Sequence, residues 1–484
     1  MVEERRRMSW EAVIGIEIHV QLRTATKMFC PCAIPAEGDA PNSRTCPTCL
    51  GLPGALPVPN RAAIEKVLAV GAAIGASSPA TTRWDRKNYF YPDLPKGYQI
   101  SQLDLPLAEH GSIPVTTSAG ARTVRIRRAH LEEDTARLRH EKGADGARAS
   151  LIDYNRSGVA LLEIVTEPDI RDGETARRYA EELRLLLRTI GAADAEMENG
   201  QMRVEANISL RPSNDAPFGT RVEVKNMNSF RSVERAIAFE IARQAEVLEA
   251  GGAVTQETRG WDEGSETTYT MRAKEDSHDY RYFPEPDLPP LQISPAWLAE
   301  IVATLPELPT TRRARYVSEL GLTEYDASVL VAEPRAAALF EASRAAKEEL
   351  DPKLLANWIC GEYLRVANEG ASDPDPVQFA DLIAAVGSKE ISGTTAKALF
   401  AEMILTPLNV RDAIVSRGLG QISDTGALEG IVAEVIAANP QAVADWKSGK
   451  AQAVSYLVGQ AMKASKGRGD AALLGTMIRE ALDR

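Results

Sequence analysis

The chain has 484 residues, 44% of them hydrophobic and 26% charged, and a formal net charge of -12. That length exceeds what one hydrophobic core supports and fits two to four domains, while the acidity excludes a general nucleic-acid binder and leaves room for a local basic patch. No apolar run approaches the ~20 residues of a bilayer span, and the opening Met1-Val-Glu-Glu-Arg-Arg-Arg7 leads into no signal-type apolar block, so a cytoplasmic protein without membrane attachment is expected.

Gly15-Ile-Glu-Ile-His-Val-Gln-Leu22 alternates with a period of two. As a strand it sends Ile16, Ile18, Val20 and Leu22 to a core and Glu17, His19 and Gln21 to the opposite face. An acid, an imidazole and an amide in register point to a pocket floor, although a solvated polar face carries the same pattern. Cys30-x-Cys32 and Cys46-x-x-Cys49 follow, separated by a Pro/Gly/Asn-rich loop. Two close thiolate pairs across a short loop suit a structural tetrahedral Zn²⁺ with no open position; the alternative is four unrelated buried thiols. Ala62 to Ala76 has the apolar spacing of a helix. Arg86 to Gln102 is interrupted by prolines and rich in basic, amide and tyrosine side chains. It reads either as a surface contact loop or as an aromatic loop packed on the domain.

Val124 to Glu132 reads as a strand running into His130-Leu-Glu-Glu-Asp134. Three consecutive acids repel one another unless a cation or solvent relieves them, and a solvated acidic turn is the plain expectation. Val159 to Val165 is apolar except for Glu163, which must face a cation, a basic side chain or a pocket. A helix from about Glu174 to Ile190 stops at Gly191. Met202 to Leu210 then alternates apolar residues with Arg203, Glu205, Asn207 and Ser209, and Val222 and Val224 alternate with Arg221, Glu223 and Lys225. These two strands form a polar wall on an apolar backing. Asn226 to Ser229 opens a helix that ends at Gly251-Gly252, which puts Lys225 at a strand end and helix start, where backbone N–H groups favour phosphate.

Glu257 to Trp261 and the charged, aromatic stretch Met271 to Asp287 close this region, and Pro284, Pro286, Pro289 and Pro290 mark its boundary. From Ser294-Pro295 onward the periodicity is helical, with a looser Gly418 to Gly426 stretch before a small bundle of about 60 residues. Within Trp446 to Gly469 stand Lys447, Lys450, Lys463, Lys466 and Arg468 and no acid. That concentration suits phosphodiester contact or, more plainly, a solvated helix face. No Walker loop, dinucleotide fingerprint, Cys/His pair or Gly-x-Ser-x-Gly elbow appears. The chemistry must come from acids, His19, Lys and Arg, as metal-assisted phosphoryl or acyl transfer rather than covalent catalysis.

Several long runs are similar to one family over essentially the whole chain: Gly15–Leu22, Cys46-Pro-Thr-Cys-Leu-Gly-Leu-Pro-Gly54, Lys87-Asn-Tyr-Phe-Tyr-Pro-Asp-Leu-Pro-Lys96, His130–Asp134, Asp153-Tyr-Asn-Arg-Ser-Gly158, Leu161–Asp169, Val224–Phe230 and Asp279–Asp287. The chain resembles the B subunit of the aspartyl/glutamyl-tRNA amidotransferase. It departs where Asn199 and Gln201 stand and the family often has Glu and Ser. The resemblance implies an α+β fold: an antiparallel-sheet cradle domain like that of glutamine synthetase over 1–293 (zinc segment 30–49), an all-α domain over 294–410, and a tRNA-binding tail over 411–484.

The resemblance further implies that ATP activates the side-chain carboxylate of Asp or Glu mischarged on tRNA(Asn) or tRNA(Gln). Ammonia from an amidase-type A subunit then displaces the phosphate, and a small C subunit holds the pair together. In that chemistry His19, Glu132, Glu17 and Glu257 are the candidate Mg²⁺ shell. Arg203, Lys225 and Arg156 hold phosphate charge, and Glu163 and Glu205 lie on or behind the metal. Lys87, Asn88, Tyr89 and Lys96 line the ammonia path, and the five basic tail residues contact tRNA. Two other readings fit the same residues: a carboxylate–amine ligase acting on a free small molecule, and a non-catalytic, zinc-stabilised RNA-binding scaffold.

Overall fold

The computed structural model describes residues 10–142, 146, 148–273, 280–422, 425–465 and 467–483. It divides into two compact units, Met1–Leu308 and Pro309–Arg484. The first contains, in chain order, β1 (Glu11–Gln21), α1 (Arg61–Ala73), β2 (Thr81–Thr82), β3 (Asp85–Asn88), β4 (Tyr98–Ser101), β5 (Ala108–Thr117), β6 (Gly120–Glu133), β7 (Arg137–Lys142), β8 (Arg148–Asp153), β9 (Ala160–Thr166), α2 (Gly173–Thr189), β10 (Met202–Arg211), β11 (Val222–Met227), α3 (Phe230–Glu249), β12 (Glu257–Asp262), β13 (Thr267–Ala273), β14 (Phe283–Pro284), β15 (Leu291–Gln292) and α4 (Pro295–Ala303).

Eight of these strands form one sheet in the order β13-β12-β11-β10-β1-β9-β6-β5. All neighbours are antiparallel except β11 and β12, which run parallel across the α3 crossover. The sheet is therefore mixed, where the resemblance implies an antiparallel one. A crossover of helix length between two strands permits the parallel pair.

One face of the sheet is apolar because the alternation of β1 and β10 puts Ile14, Ile16, Ile18, Val20, Val204, Ala206 and Ile208 on the same side. Helices α1, α2 and α3 pack against this sheet and share its core through Val67, Leu183 and Ile237. Asp172 and Ser229 cap α2 and α3, each side chain accepting a backbone N–H of the first turn. The other face is left to polar side chains.

The second unit is helical, with no strand among the described residues. Helices starting at Pro352 and Pro376 carry proline in the first turn behind the capping aspartates Asp351 and Asp375. The helices Thr425–Ala438, Pro440–Lys447, Gln452–Ala464 and Ala471–Leu482 enclose a core of their own that includes Leu428, Val432, Leu457, Leu474 and Ile478. The chain is thus of the α+β class. Among the described residues, no helix is long and apolar enough to cross a membrane.

Candidate active site

The polar face of the sheet forms the floor of a cavity of about 590 Å³. Register builds it. His19 on β1 lies opposite Arg203 on β10 and opposite Glu163 on β9, and Glu163 in turn lies opposite His130 on β6. Four side chains from four strands thus stand in one cross-strand row, the arrangement in which directly opposed residues interact. Two residues along β1, Glu17 is paired with Glu205. The register shifts between Val204 and Ala206, where β11 sets both Lys225 and Asn226 against the single Glu205. Such a bulge re-aims the side chain it displaces, and Lys225 Nζ reaches Glu205 at 2.8 Å and Glu223 at 3.4 Å.

His19 Nε2 is 3.6 Å from a carboxylate oxygen of Glu17, 3.7 Å from Glu132 and 3.5 Å from Glu163, while His130 Nε2 is 3.3 Å from Glu163. Two donor sets result, Glu17/His19/Glu163 and His130/Glu132/Glu163, each with its atoms within 4.8 Å of one another and sharing Glu163. The cavity lining holds the carboxylates Glu17, Glu132, Asp134, Glu163, Glu205, Glu223 and Glu257 against the fixed cations Lys87, Arg128, Arg203, Arg221 and Lys225. Acids are in excess. Burial, reinforced by the charge of Glu163, raises the Glu17 carboxyl to about 7. Burial opposes charge on His19, but its hydrogen bond to Glu163 and the charges of Glu163, Glu132 and Glu205 outweigh that and raise it to about 9. Glu163 is also desolvated, yet His130 and His19 hold its carboxyl well below the ordinary range. Hard oxygens and an imidazole, once His19 has given up its proton, together fit a divalent cation.

The acidic run at the end of β6 is not the solvated turn expected from sequence. Glu132, Glu133 and Asp134 are all buried, and each has its own relief. Glu132 faces Lys87 at 3.7 Å. Glu133 accepts from Lys96 Nζ and from the Ile100 N–H. Asp134 faces Arg203 at 3.3 Å and accepts from Gln21 Nε2 at 2.9 Å. Alternation along β6 turns Glu133 away from its neighbours, and bases distant in sequence provide the relief assigned to solvent.

Residues 12–299 match the family model described as the GatB/GatE catalytic domain, and residues 338–482 match the one described as the GatB domain. Proteins named as the B subunit of aspartyl/glutamyl-tRNA(Asn/Gln) amidotransferase are similar along their full length. The one from Carboxydothermus hydrogenoformans is 46% identical over 98% of this chain and 99% of its own. That from Moorella thermoacetica is 46% identical over 98% and 100%, and that from Caldanaerobacter subterraneus 44% over 99% and 100%. The chain belongs to this amidotransferase B-subunit family.

Several residues singled out in sequence stand apart from the two donor sets of this family member's cavity. Lys87 and Tyr89 line it, but Lys96 is held by Glu133 beside a separate hollow formed by Phe90 to Gly97. The Asn88 amide donates to the Tyr280 and Arg281 carbonyls. Arg156, expected at phosphate, donates to the Thr135 and Ala136 carbonyls and lies 3.6 Å from Asp134. Glu257 lines the cavity with its carboxylate bound to Arg259 and Thr270, both at 2.7 Å, outside either donor set. Conversely, His130, Arg128, Tyr280 and Tyr282 complete the site although sequence reasoning gave them no role. His130 carried a usable signal, being two residues from Glu132 on one strand. Lys87 Nζ sits 5.2 Å from the Tyr280 ring centroid, so an aromatic wall backs the Lys87–Glu132 contact.

The sulfurs of Cys30, Cys32, Cys46 and Cys49 also lie within 4.8 Å of one another, and none is in a disulfide. Ligands about 2.3 Å from a tetrahedral zinc are about 3.8 Å apart, and Cys46 and Cys49 Sγ are 3.9 Å apart. The donor set therefore fits zinc. A hydrogen bond with Cys30 draws the Cys49 thiol down to about 4 and drives Cys30 upward. In the tail, Lys447, Lys450 and Lys463 are exposed, with Lys450 bound to Asp445 at 2.9 Å. Arg468 donates to the Gly418 carbonyl at 3.1 Å. Lys466, and the charged stretch 274–279, lie outside the described residues.

Proposed function

We propose that this chain is the transamidating subunit of a cytoplasmic, tRNA-dependent amidotransferase acting with an amidase-type A subunit and a small C subunit. Its substrates are ATP, ammonia derived from glutamine, and Asp-tRNA(Asn), Glu-tRNA(Gln) or both. The observation that carries this reading is the row Arg203–His19–Glu163–His130, with Glu17 and Glu132 beside it, in one acid-rich cavity. The reading keeps a three-part division of the chain: a cradle like that of glutamine synthetase, a helical domain and a tRNA-gripping tail.

A carboxylate is a poor electrophile until one oxygen becomes part of a better leaving group. The γ-phosphoryl of ATP passes to that oxygen with loss of ADP. Ammonia then attacks the carbonyl carbon, the C–N bond forms, the C–O bond to phosphate breaks, and the proton shed by nitrogen leaves on the phosphate. His19, Glu17, Glu132 and Glu163 would hold Mg²⁺, which when bound neutralises phosphate oxygens during transfer. Arg203 and Lys225 draw the phosphoryl charge to the β10–β11 side of the floor. Their own charges are secured by Asp134 and Glu205, which raise both pKa values. Lys87 and the Tyr89, Tyr280 and Tyr282 rings line the cavity beside Glu132, and this is the side by which ammonia would arrive. The four cysteines would hold a structural zinc.

The test is assembly with candidate A and C subunits and assay of both mischarged tRNAs with ATP and glutamine. Amide formation with the complex, and from ammonia but not from glutamine with this chain alone, is the expected result. Glutaminase activity in the purified single chain, or amidation of free aspartate at the same rate as of Asp-tRNA, would overturn the proposal.

A further inference from the structure

Lys27 lies outside the acid cavity and is not one of the four cysteines, yet its side chain is 0% exposed. A buried ammonium is costly unless every N–H finds an acceptor and negative charge lies close by. Its Nζ donates to the carbonyl oxygens of Arg44 at 2.8 Å and Tyr154 at 3.3 Å, and its third contact is Cys49 Sγ at 3.6 Å. These partners occupy the three donors of an ammonium group. No Asp or Glu among the described residues forms an ion pair with it. The sulfur is therefore the contact that can supply charge.

The surroundings of Lys27 are stitched on both sides. The Met28 N–H donates to the Gly158 carbonyl at 2.7 Å, and Ser157 Oγ donates to the Cys49 carbonyl at 3.2 Å. From the same turn, the Gly158 N–H donates to the Asp134 carbonyl at 2.9 Å. Asp134 is the acid that secures Arg203 in the cavity.

We infer that Lys27 is a positioning residue of the four-cysteine centre: its ammonium hydrogen-bonds the Cys49 thiolate and ties the Cys46–Cys49 knuckle to the Tyr154–Gly158 turn. Four thiolates around one Zn²⁺ carry a net charge of two negatives, and Lys27 cancels one of them inside the protein. An uncompensated double charge in a buried site would otherwise weaken thiolate ligation. This inference rests on zinc being the occupant of that centre.

The test compares the full-length wild type with Lys27→Met, Lys27→Gln and Lys27→Arg, each loaded with Zn²⁺ and challenged with a colorimetric chelator. Loss of a partner that orients a metal ligand typically costs 10–100-fold in affinity, so zinc release about 10–100-fold faster is expected for Lys27→Met. Lys27→Gln keeps donors for the two carbonyls but not the charge; it is expected to release zinc nearly as fast and carries the test should the Met variant fold poorly. Lys27→Arg keeps charge and donors and is expected to restore most of the retention. In the Co²⁺-loaded proteins, the sulfur-to-cobalt charge-transfer band should move to lower energy for Met and Gln and stay in place for Arg. A wild type that takes up no zinc overturns the zinc reading and this inference together. A wild type that holds zinc, with Met and Gln variants matching its release rate and band position, overturns the role of Lys27 alone.

Discussion

The acid cavity of the first unit and the basic tail of the second place their charges by opposite means. In the cavity, strand register sets one charge against another: His19 faces Arg203 on one side and Glu163 on the other, and Glu163 is only 5% exposed. Each desolvated charge depends on a particular neighbour, so removing one member leaves another buried and unmatched, which is expensive. In the tail, Lys447 and Lys463 stand exposed near helix ends, over a core that makes no use of their charge. Charges of that kind act through the summed field they present to a polyanion. Single changes should therefore be drastic in the cavity and graded in the tail.

The largest expected effect tests the first half of that contrast. His19→Ala or Glu132→Ala should lower ATP-dependent amidation by at least about 100-fold, on the scale seen when one charge-stabilising group is removed from an active site. Affinity for tRNA should be unchanged, as checked by filter binding with each variant. Loss of tRNA binding in step with activity would place the effect in the fold instead. A second measurement follows protons. Glu17 titrates near 7 and His19 near 9, and both must be deprotonated to ligate a cation. Mg²⁺ affinity should therefore rise with pH, by about a hundredfold per unit below 7, where both protons are displaced, and by about tenfold per unit from 7 to 9, where only that of His19 remains. Calorimetry in buffers of different ionisation enthalpy counts those protons directly, and a pH-independent affinity would remove these two groups from the cation site.

The tail provides the graded side. The double variant Lys447→Glu, Lys463→Glu should raise KM for mischarged tRNA roughly tenfold with kcat nearly unchanged. The slope of log K against log salt should fall by about one per lost phosphate contact. A drop in kcat with KM unaffected would contradict a purely electrostatic role.

The two regions also differ in how far their sequences could be read. Period-two alternation identified the outward set Glu17, His19 and Gln21 and the wall Arg203, Glu205 and Asn207, because a strand's faces follow from local spacing alone. Which strand lies beside which is a long-range matter. The relief of Glu133 by Lys96 and of Asp134 by Arg203 spans 37 and 69 residues of chain, and nothing local to His130–Asp134 announces it. The same limit explains Arg156 and Asn88. Both have the chemistry of contact residues, and both are committed to backbone carbonyls that sequence does not place near them. In the tail, composition showed the basic cluster but could not rank its members.

That ranking leads to the smallest effect. Lys450 looks equivalent to Lys447 by composition, both lying in the acid-free run from Trp446 to Gly469. The acid that matters stands one residue before that run: Lys450 Nζ is 2.9 Å from Asp445, whose carboxyl is held below its ordinary range by that contact. A lysine paired in this way projects little net field, and an arriving phosphate must compete with a carboxylate already in place. Lys450→Ala should therefore change KM for tRNA by less than about twofold, within what a surface ion pair contributes. Asp445→Asn, by releasing Lys450, should instead lower KM slightly and steepen the salt dependence by up to about one. If Lys450→Ala proved as costly as Lys447→Ala, the pair would have to open on tRNA binding, and the tail's charges would depend on particular partners as those of the cavity do.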